Sequence, residues 1–155
     1  MAKKLSVKVD YFEDYQLLGL VSNLKDYRLT YFINTLLELD LKKFDDLKPD
    51  PENNIAYSWY CHWRKGEPVS YYLIGNHHAN GKLIPAQKNL DYFFIIKNSS
   101  ELKTNEIVGK LRVIDNITAV FQLDMEKIKD MNMILETIEM HELDQVIRPK
   151  KPNQL

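Results

Sequence analysis

Residues Tyr92-Phe93-Phe94-Ile95-Ile96 form the most apolar short run of the chain, and a proline-led stretch, Ile84-Pro85-Ala86-Gln87-Lys88-Asn89-Leu90-Asp91, leads into it. Successive side chains of a strand point to opposite faces, so a strand apolar at every position needs cover on both sides. Leu90 to Ile96 is therefore predicted to be a central strand. The rest of the chain must supply its neighbours in the sheet and a layer on each face.

Leu5, Val7, Val9 and Tyr11 alternate with Ser6, Lys8 and Asp10, the period of a half-buried strand. Tyr15 to Val21 is open: Leu17, Leu18, Leu20 and Val21 suit a helix, and Gly19 weakens one. Leu29, Phe32, Ile33, Leu36 and Leu37 share one helical face, which predicts a helix over Leu24–Leu41 capped by Ser22 or Asn23. Asp40 to Pro51 is acidic, contains prolines and reads as a surface loop.

A hairpin follows. Tyr57, Trp59, Cys61 and Trp63 point one way and Ser58, Tyr60, His62 and Arg64 the other. Lys65-Gly66-Glu67-Pro68 turns the chain and Ser70–Ile74 returns it. Asn76 to Gly81 is a second turn, with Asn80-Gly81 suited to positive φ. Asn98 or Ser99 is placed to cap a helix carrying Leu102, Ile107, Val108 and Leu111, which Asp115-Asn116 ends. Ile117, Ala119, Phe121 and Leu123 alternate as a strand, and Asp124 can cap a short helix from Met125. Met131, Ile134, Leu135 and Ile138 sit at helical spacing, but Thr137 to Met140 also alternates, so 132–147 reads as helix or arm.

This order predicts a single α+β domain over 1–147 with a flexible polar tail over 148–155. The sheet is expected to be mixed or mostly antiparallel, of about five strands under two main helices, with a C-terminal helix or arm. A ferredoxin-like layout with an added strand fits the order.

At 155 residues the chain can bury a core without metal or disulfide staples. Cys61 is its only cysteine, which excludes an intrachain disulfide and a multi-thiolate zinc site. Lys+Arg 21 against Asp+Glu 22 lacks the broad basic footprint of a dedicated nucleic-acid binder. The polar start of the chain, the absence of a bilayer-length apolar run and the single cysteine together predict a cytoplasmic protein.

Ile84-Pro85 followed by Asp91-Tyr92 resembles the signature of the IPExxxVDY family, a bacterial group named for that motif. The family's Glu is Ala86 here and its Val is Leu90. Lys25-Asp26-Tyr27-Arg28-Leu29 with Asn34, and Tyr72-Leu73-Ile74-Gly75-Asn76, resemble further segments of the family, and the likeness runs from about Lys3 to about Leu135. The resemblance implies no activity, cofactor or partner, so it assigns no catalytic residue. Ala86 also removes the carboxylate that a base or metal ligand at that position would need.

Among chemically suggestive residues, Asp91 beside Tyr92 suggests an acid/base pair, but neighbours in a regular strand diverge, so Asp91 is read as a loop anchor and Tyr92 as packing. His77-His78, with His62 across the hairpin, lacks the acidic or thiolate company of a metal site and reads as a solvated turn. His141-Glu142 lacks the second histidine of a zinc-protease helix and reads as a surface pair. Cys61 lies on the face expected to be buried and reads as structural rather than as a nucleophile for His62. Tyr60, His62, Arg64 and Tyr72 offer an aromatic sheet face for stacking bases, or else lie beneath the long helix as core. Tyr27-Arg28, of types enriched in interface hot spots, stands at the start of that helix.

These readings predict a non-catalytic protein-binding or adaptor module that contacts a protein partner, or a second copy of itself as a homodimer. The contact residues are Tyr27, Arg28, Pro85, Gln87, Lys88, Asp91 and Tyr92. No cofactor, metal or membrane partner is expected, and nucleic acid is disfavoured. Two alternatives stand beside it: an enzyme with an acid/base pocket near Asp91, and an RNA-contacting regulator using the Tyr60–Arg64 face.

Overall fold

The structure is a computed structural model that describes residues 12–50 and 52–149. The strand expected at Leu5–Tyr11 and most of the polar tail lie outside these residues. The described strands are β1 (Tyr15–Ser22), β2 (Lys42–Lys43), β3 (Trp59–His62), β4 (Ser70–Gly75), β5 (His77–His78), β6 (Gly81–Lys82), β7 (Tyr92–Lys97) and β8 (Ile117–Leu123). The α-helices are α1 (Asp26–Leu37), α2 (Glu101–Leu111) and α3 (Met131–Glu142).

Six strands make one sheet in the order β2-β3-β4-β7-β1-β8, every recorded pairing antiparallel, and β5 and β6 form a separate small hairpin. β8-β1-β7-β4, with α1 and α2 on one face, reproduces the ferredoxin-like order, and β3 and β2 extend it along one side. The protein is thus α+β, with six strands and three helices where about five strands and two main helices were expected from the pattern alone.

The apolar run lies between β4 and β1, pairing Phe94 with Leu73 on one side and with Leu18 on the other. Each face of the sheet has its own core. On one, Leu18, Leu20, Tyr60, Leu73, Phe94 and Ile96 pack against Leu29 and Ile33 of α1 and Ile107, Val108 and Leu111 of α2. On the other, Leu17, Trp59, Cys61, Tyr72, Phe93 and Ile95 pack against Met131, Ile134, Leu135 and Ile138 of α3. The third helix explains why β7 carries no polar side: both of its faces are covered.

Tyr15–Ser22 resolves as a strand because β7 and β8 flank it and bury side chains on both faces, which overrides its local helical spacing. Gly19 makes room there for Leu90. A Cβ at Gly19 would collide with the end of the Leu90 side chain, which fills the space that glycine leaves. α1 is shorter than the periodicity suggests: it starts after Lys25, which makes no side-chain cap, and ends where Glu38 turns left-handed and donates its N–H to Asn34. Ser22, an expected cap, instead accepts from Leu24 N and donates to the Asn116 carbonyl. Ser100, not Asn98 or Ser99, caps α2 by accepting from Lys103 N at 3.1 Å. Asp124 caps a 3-10 turn at Met125–Lys127, and 131–142 is helix, followed by a π turn over Leu143–Ile147.

The β3–β4 register corrects one expected face. Cys61 is opposite Tyr72 and His62 opposite Tyr71, and directly paired residues share a face. Tyr72 therefore lies with Trp59 and Cys61 in the α3 core, and it is Tyr71 that joins Tyr60 beneath α1.

Candidate functional site

Asn76 organises the motif loop. Its backbone N–H donates to the Asp91 carbonyl and its carbonyl accepts from Leu83 N, both at 3.0 Å. Its side-chain Nδ2 donates to the Gln87 and Leu90 carbonyls at 3.0 and 2.8 Å, while Oδ1 accepts from Ile84 N at 3.0 Å. The residue is wholly buried. A side-chain amide that satisfies a loop on both its donor and acceptor sides replaces the ladder that Pro85 interrupts. Pro85–Gln87 closes as a 3-10 turn, with Gln87 N donating to Ile84 O.

This loop brings Asp91 to the start of β7 with both carboxylate oxygens engaged. Oδ2 accepts from Ser22 N at 2.9 Å, at the end of β1. Oδ1 lies 3.0 Å from His77 Nε2, on the small hairpin. Around the pair opens a recess of about 470 Å³ lined by Ser22, Asn23, Leu24, Lys25, Asp26, Ser58, Gly75, His77, Asp91 and Tyr92. Asp91 and Tyr92 share it because β7 begins only at Tyr92, so the strand alternation that would separate them does not yet apply. Tyr92 donates its hydroxyl to the Leu24 carbonyl at 2.6 Å, fixing the chain as it enters α1. Burial, and behind it the Asp26 and Asp91 carboxylates, push the Tyr92 phenol up to about 12. It is a fixed neutral donor at ordinary pH.

Tyr27 and Arg28 follow directly on the recess along α1. Tyr27 and, one turn on, Tyr31 are among the most exposed aromatic side chains, 62% and 64% accessible. The Arg28 guanidinium lies 5.7 Å from the Phe32 ring centroid, which restrains it on the helix surface. Pro85, Gln87 and Lys88 do not line the recess: Pro85 and Lys88 are exposed on the motif turn, and Gln87 contributes its carbonyl to Asn76. Of the seven residues expected at a contact, the structure joins Asp91 and Tyr92 in the recess, places Tyr27 and Arg28 beside them on α1, and leaves three on the turn.

Sequence reasoning missed His77 as the partner of Asp91 and Asn76 as the residue that shapes the loop. No local pattern carries either, because the contacts skip up to 14 positions. His78 turns away from the pair, accepting from Asn80 N through Nδ1. Among the described residues no group of three His, Cys, Asp or Glu side chains could hold a metal ion. The Tyr60–Arg64 face presents no open stacking surface, since Tyr60 and His62 are 5% and 4% accessible and only Arg64 is exposed.

A second titratable cluster lies in the α3 core. Glu142, expected as half of a surface pair, is 4% accessible. Its Oε1 accepts from the Tyr72 hydroxyl at 2.9 Å and Oε2 lies 3.9 Å from the Cys61 thiol. The sequence placed Glu142 on the surface by its polarity, but it follows Leu135 and Ile138 around the inner face of α3. Burial pushes the Glu142 carboxyl up, opposed by the Tyr72 hydrogen bond, Lys97 and the Cys61 thiol. Burial and the Glu142 charge raise the Cys61 thiol as well, leaving it protonated and unreactive. His141 packs its ring edge-on to Trp59 and bonds the Asp45 carbonyl at 2.7 Å, so this end of α3 is tied to the loop after β2.

No protein-family model and no curated protein sequence matches the chain. Among the described residues no helix is long and apolar enough to cross a membrane.

Proposed function

We propose that the chain is a protein-binding module that receives a partner's side chain in the Asp91 recess, with Tyr27 and Arg28 as the adjoining contact surface. The observation that carries this reading is the Asp91 carboxylate, held by Ser22 N and His77 in an open recess that continues onto an exposed Tyr-Arg helix face. A polar group held on both sides presents fixed geometry to a ligand, which reduces the ordering cost of binding. Small-molecule sites are mostly apolar and enclose their ligand. This recess is open rather than enclosing, which suits one inserted side chain of a larger partner. The resemblance to the IPExxxVDY family, proposed from Ile84-Pro85 and Asp91-Tyr92, rests on residues of the same loop and supplies no competing activity.

The test is a pull-down from native lysate with wild-type, Arg28→Ala and His77→Ala protein, each shown to be folded by circular dichroism. The expected result is a protein recovered by wild type and lost with both variants. Recovery of the same proteins with all three overturns the reading.

One observation favours a second reading, an acid/base pocket. A carboxylate on one ring nitrogen of His77 is an arrangement that orients an imidazole for acid/base work. Binding stands first because no nucleophile converges on the ring: among the described residues no hydrogen bond joins Ser58 to His77. His77→Gln separates the two, since it keeps a hydrogen-bonding side chain toward Asp91 and removes the proton carrier. Partner affinity survives that change on the binding reading, whereas any turnover is abolished on the other.

A further inference from the structure

Among the described residues, the two edges of the sheet are built in opposite ways. β2, at one edge, is two residues long, and both are exposed lysines, Lys42 and Lys43. Short, charged edges are how proteins block strand addition. β8, at the other edge, runs for seven residues as Ile-Thr-Ala-Val-Phe-Gln-Leu, with no charged residue and no proline. Phe121 in its middle is 48% accessible.

The outward backbone of β8 can be assigned from the ladder. Leu20 commits its carbonyl to Asp91 N, on the β7 side of β1. Its partner across β1–β8 is Val120. In an antiparallel pair, opposite residues either exchange both hydrogen bonds or turn both groups away, so Val120 points its N–H and C=O outward, and Gln122 does the same. The Arg112 guanidinium donates to that Val120 carbonyl at 2.8 Å, the only described side-chain cover on this outward row. A carbonyl accepts two hydrogen bonds, so this cap and a strand partner are compatible.

We propose that β8 is a self-association edge on which two copies of the chain pair β8 against β8, antiparallel about a two-fold axis at Val120. Of the pairings the edges allow between copies, β2 with β2 would set lysines against lysines, and β2 with β8 would meet over only two residues. The uncharged β8 edge is complementary to itself over its whole length, and a two-fold contact closes without leaving another edge to extend. Val120 then pairs with its own copy and Phe121 lies across from the partner's Ala119. The interface is small, so the dimer forms in a concentration-dependent way. It is separate from the Asp91 recess and does not depend on the binding role proposed there.

Sedimentation velocity of the full chain across a range of concentrations tests this, with Phe121→Lys and Phe121→Glu as variants. The wild type is expected to shift from monomer to dimer as concentration rises. Each variant alone is expected to stay monomeric, because Phe121 and its copy are diagonal neighbours and like charges repel. An equal mixture of the two variants is expected to recover the dimer, which misfolded protein could not do. A wild type that is monomeric throughout, a dimer untouched by Phe121→Lys, or a mixture that fails to recover overturns the proposal. Hydrogen exchange adds a second reading: Val120 and Gln122 amides gain protection with rising concentration. Protection independent of concentration would assign the edge to a segment of the same chain and overturn it as well.

Discussion

Glu142 Oε1 accepts a hydrogen bond from the Tyr72 hydroxyl at 2.9 Å inside the core between α3 and the sheet, with no cation in contact with either oxygen among the described residues. Lys97, whose positive charge acts on Glu142, pairs with Glu139 instead, at 3.9 Å. A carboxylate in this position is easier to bury protonated than charged.

Stability should therefore depend on pH through Glu142, with a defined sign. Its folded-state carboxyl is raised above the ordinary value of 4.5, with burial the leading cause. A raised acid contributes its full stability below the unfolded value and loses it as pH rises through the folded value. The difference in urea midpoint between Glu142→Gln and wild type is expected to be smallest near pH 4 and to grow above pH 4.5 in favour of the variant. A difference that does not change with pH would contradict this.

Cys61 offers an independent check on the same core. Its thiol is buried and held protonated by its surroundings, so a disulfide reagent should react only through unfolding. The labelling rate is expected to track the unfolded fraction in urea. Prompt labelling of the native protein would show that the α3 core opens locally.

Asn76→Ala should be among the most damaging single changes. It strands the Ile84 N–H and the Leu90 carbonyl in a buried setting and leaves the Gln87 carbonyl with the Leu90 N–H alone. At roughly 1–3 kcal/mol for each of these two unsatisfied groups, partly recovered by relaxation and water, the expected loss is about 2–4 kcal/mol, measured by chemical denaturation. A loss of under about 1 kcal/mol would mean that the motif loop is held by other contacts.

Gly19 and Leu90 should behave as a coupled pair. Gly19→Ala forces the Leu90 side chain to move and is expected to cost about 1–3 kcal/mol. Combined with Leu90→Val, which shortens the intruding side chain, its cost should fall well below the sum of the two single changes, as a double-mutant cycle would measure. Simple additivity would mean that the two positions do not share that space.

Much of the architecture is legible in the sequence because it follows from periodicity. Phe93 to Ile96 announces a strand covered on both faces, and the Ile107, Val108 and Leu111 spacing announces α2. What is not legible depends on partners far along the chain. Tyr15–Ser22 carries helical spacing and becomes a strand only because β7 and β8 pair with it. Tyr72 changes face because strand register is a property of two segments together. The recess is half visible in the sequence: Asp91 and Tyr92 stand out there, but His77 reads as a plain turn residue until folding sets it 3.0 Å from Asp91. Glu142 was hidden for a related reason, since its polarity argues for the surface while its position on α3 places it inside.

On the proposed function, a protein partner meets the chain at the Asp91 recess and the α1 face beside it. Site-specific photo-crosslinking in native lysate tests this most directly, with the crosslinking residue placed in turn at Tyr27, Leu102 and Met133, which are 62%, 71% and 50% accessible on α1, α2 and α3. A discrete crosslinked product is expected from position 27 and lost when His77→Ala is added, with none of comparable yield from 102 or 133. Equal crosslinking from all three positions, or a product from 27 that is indifferent to His77→Ala, would contradict it.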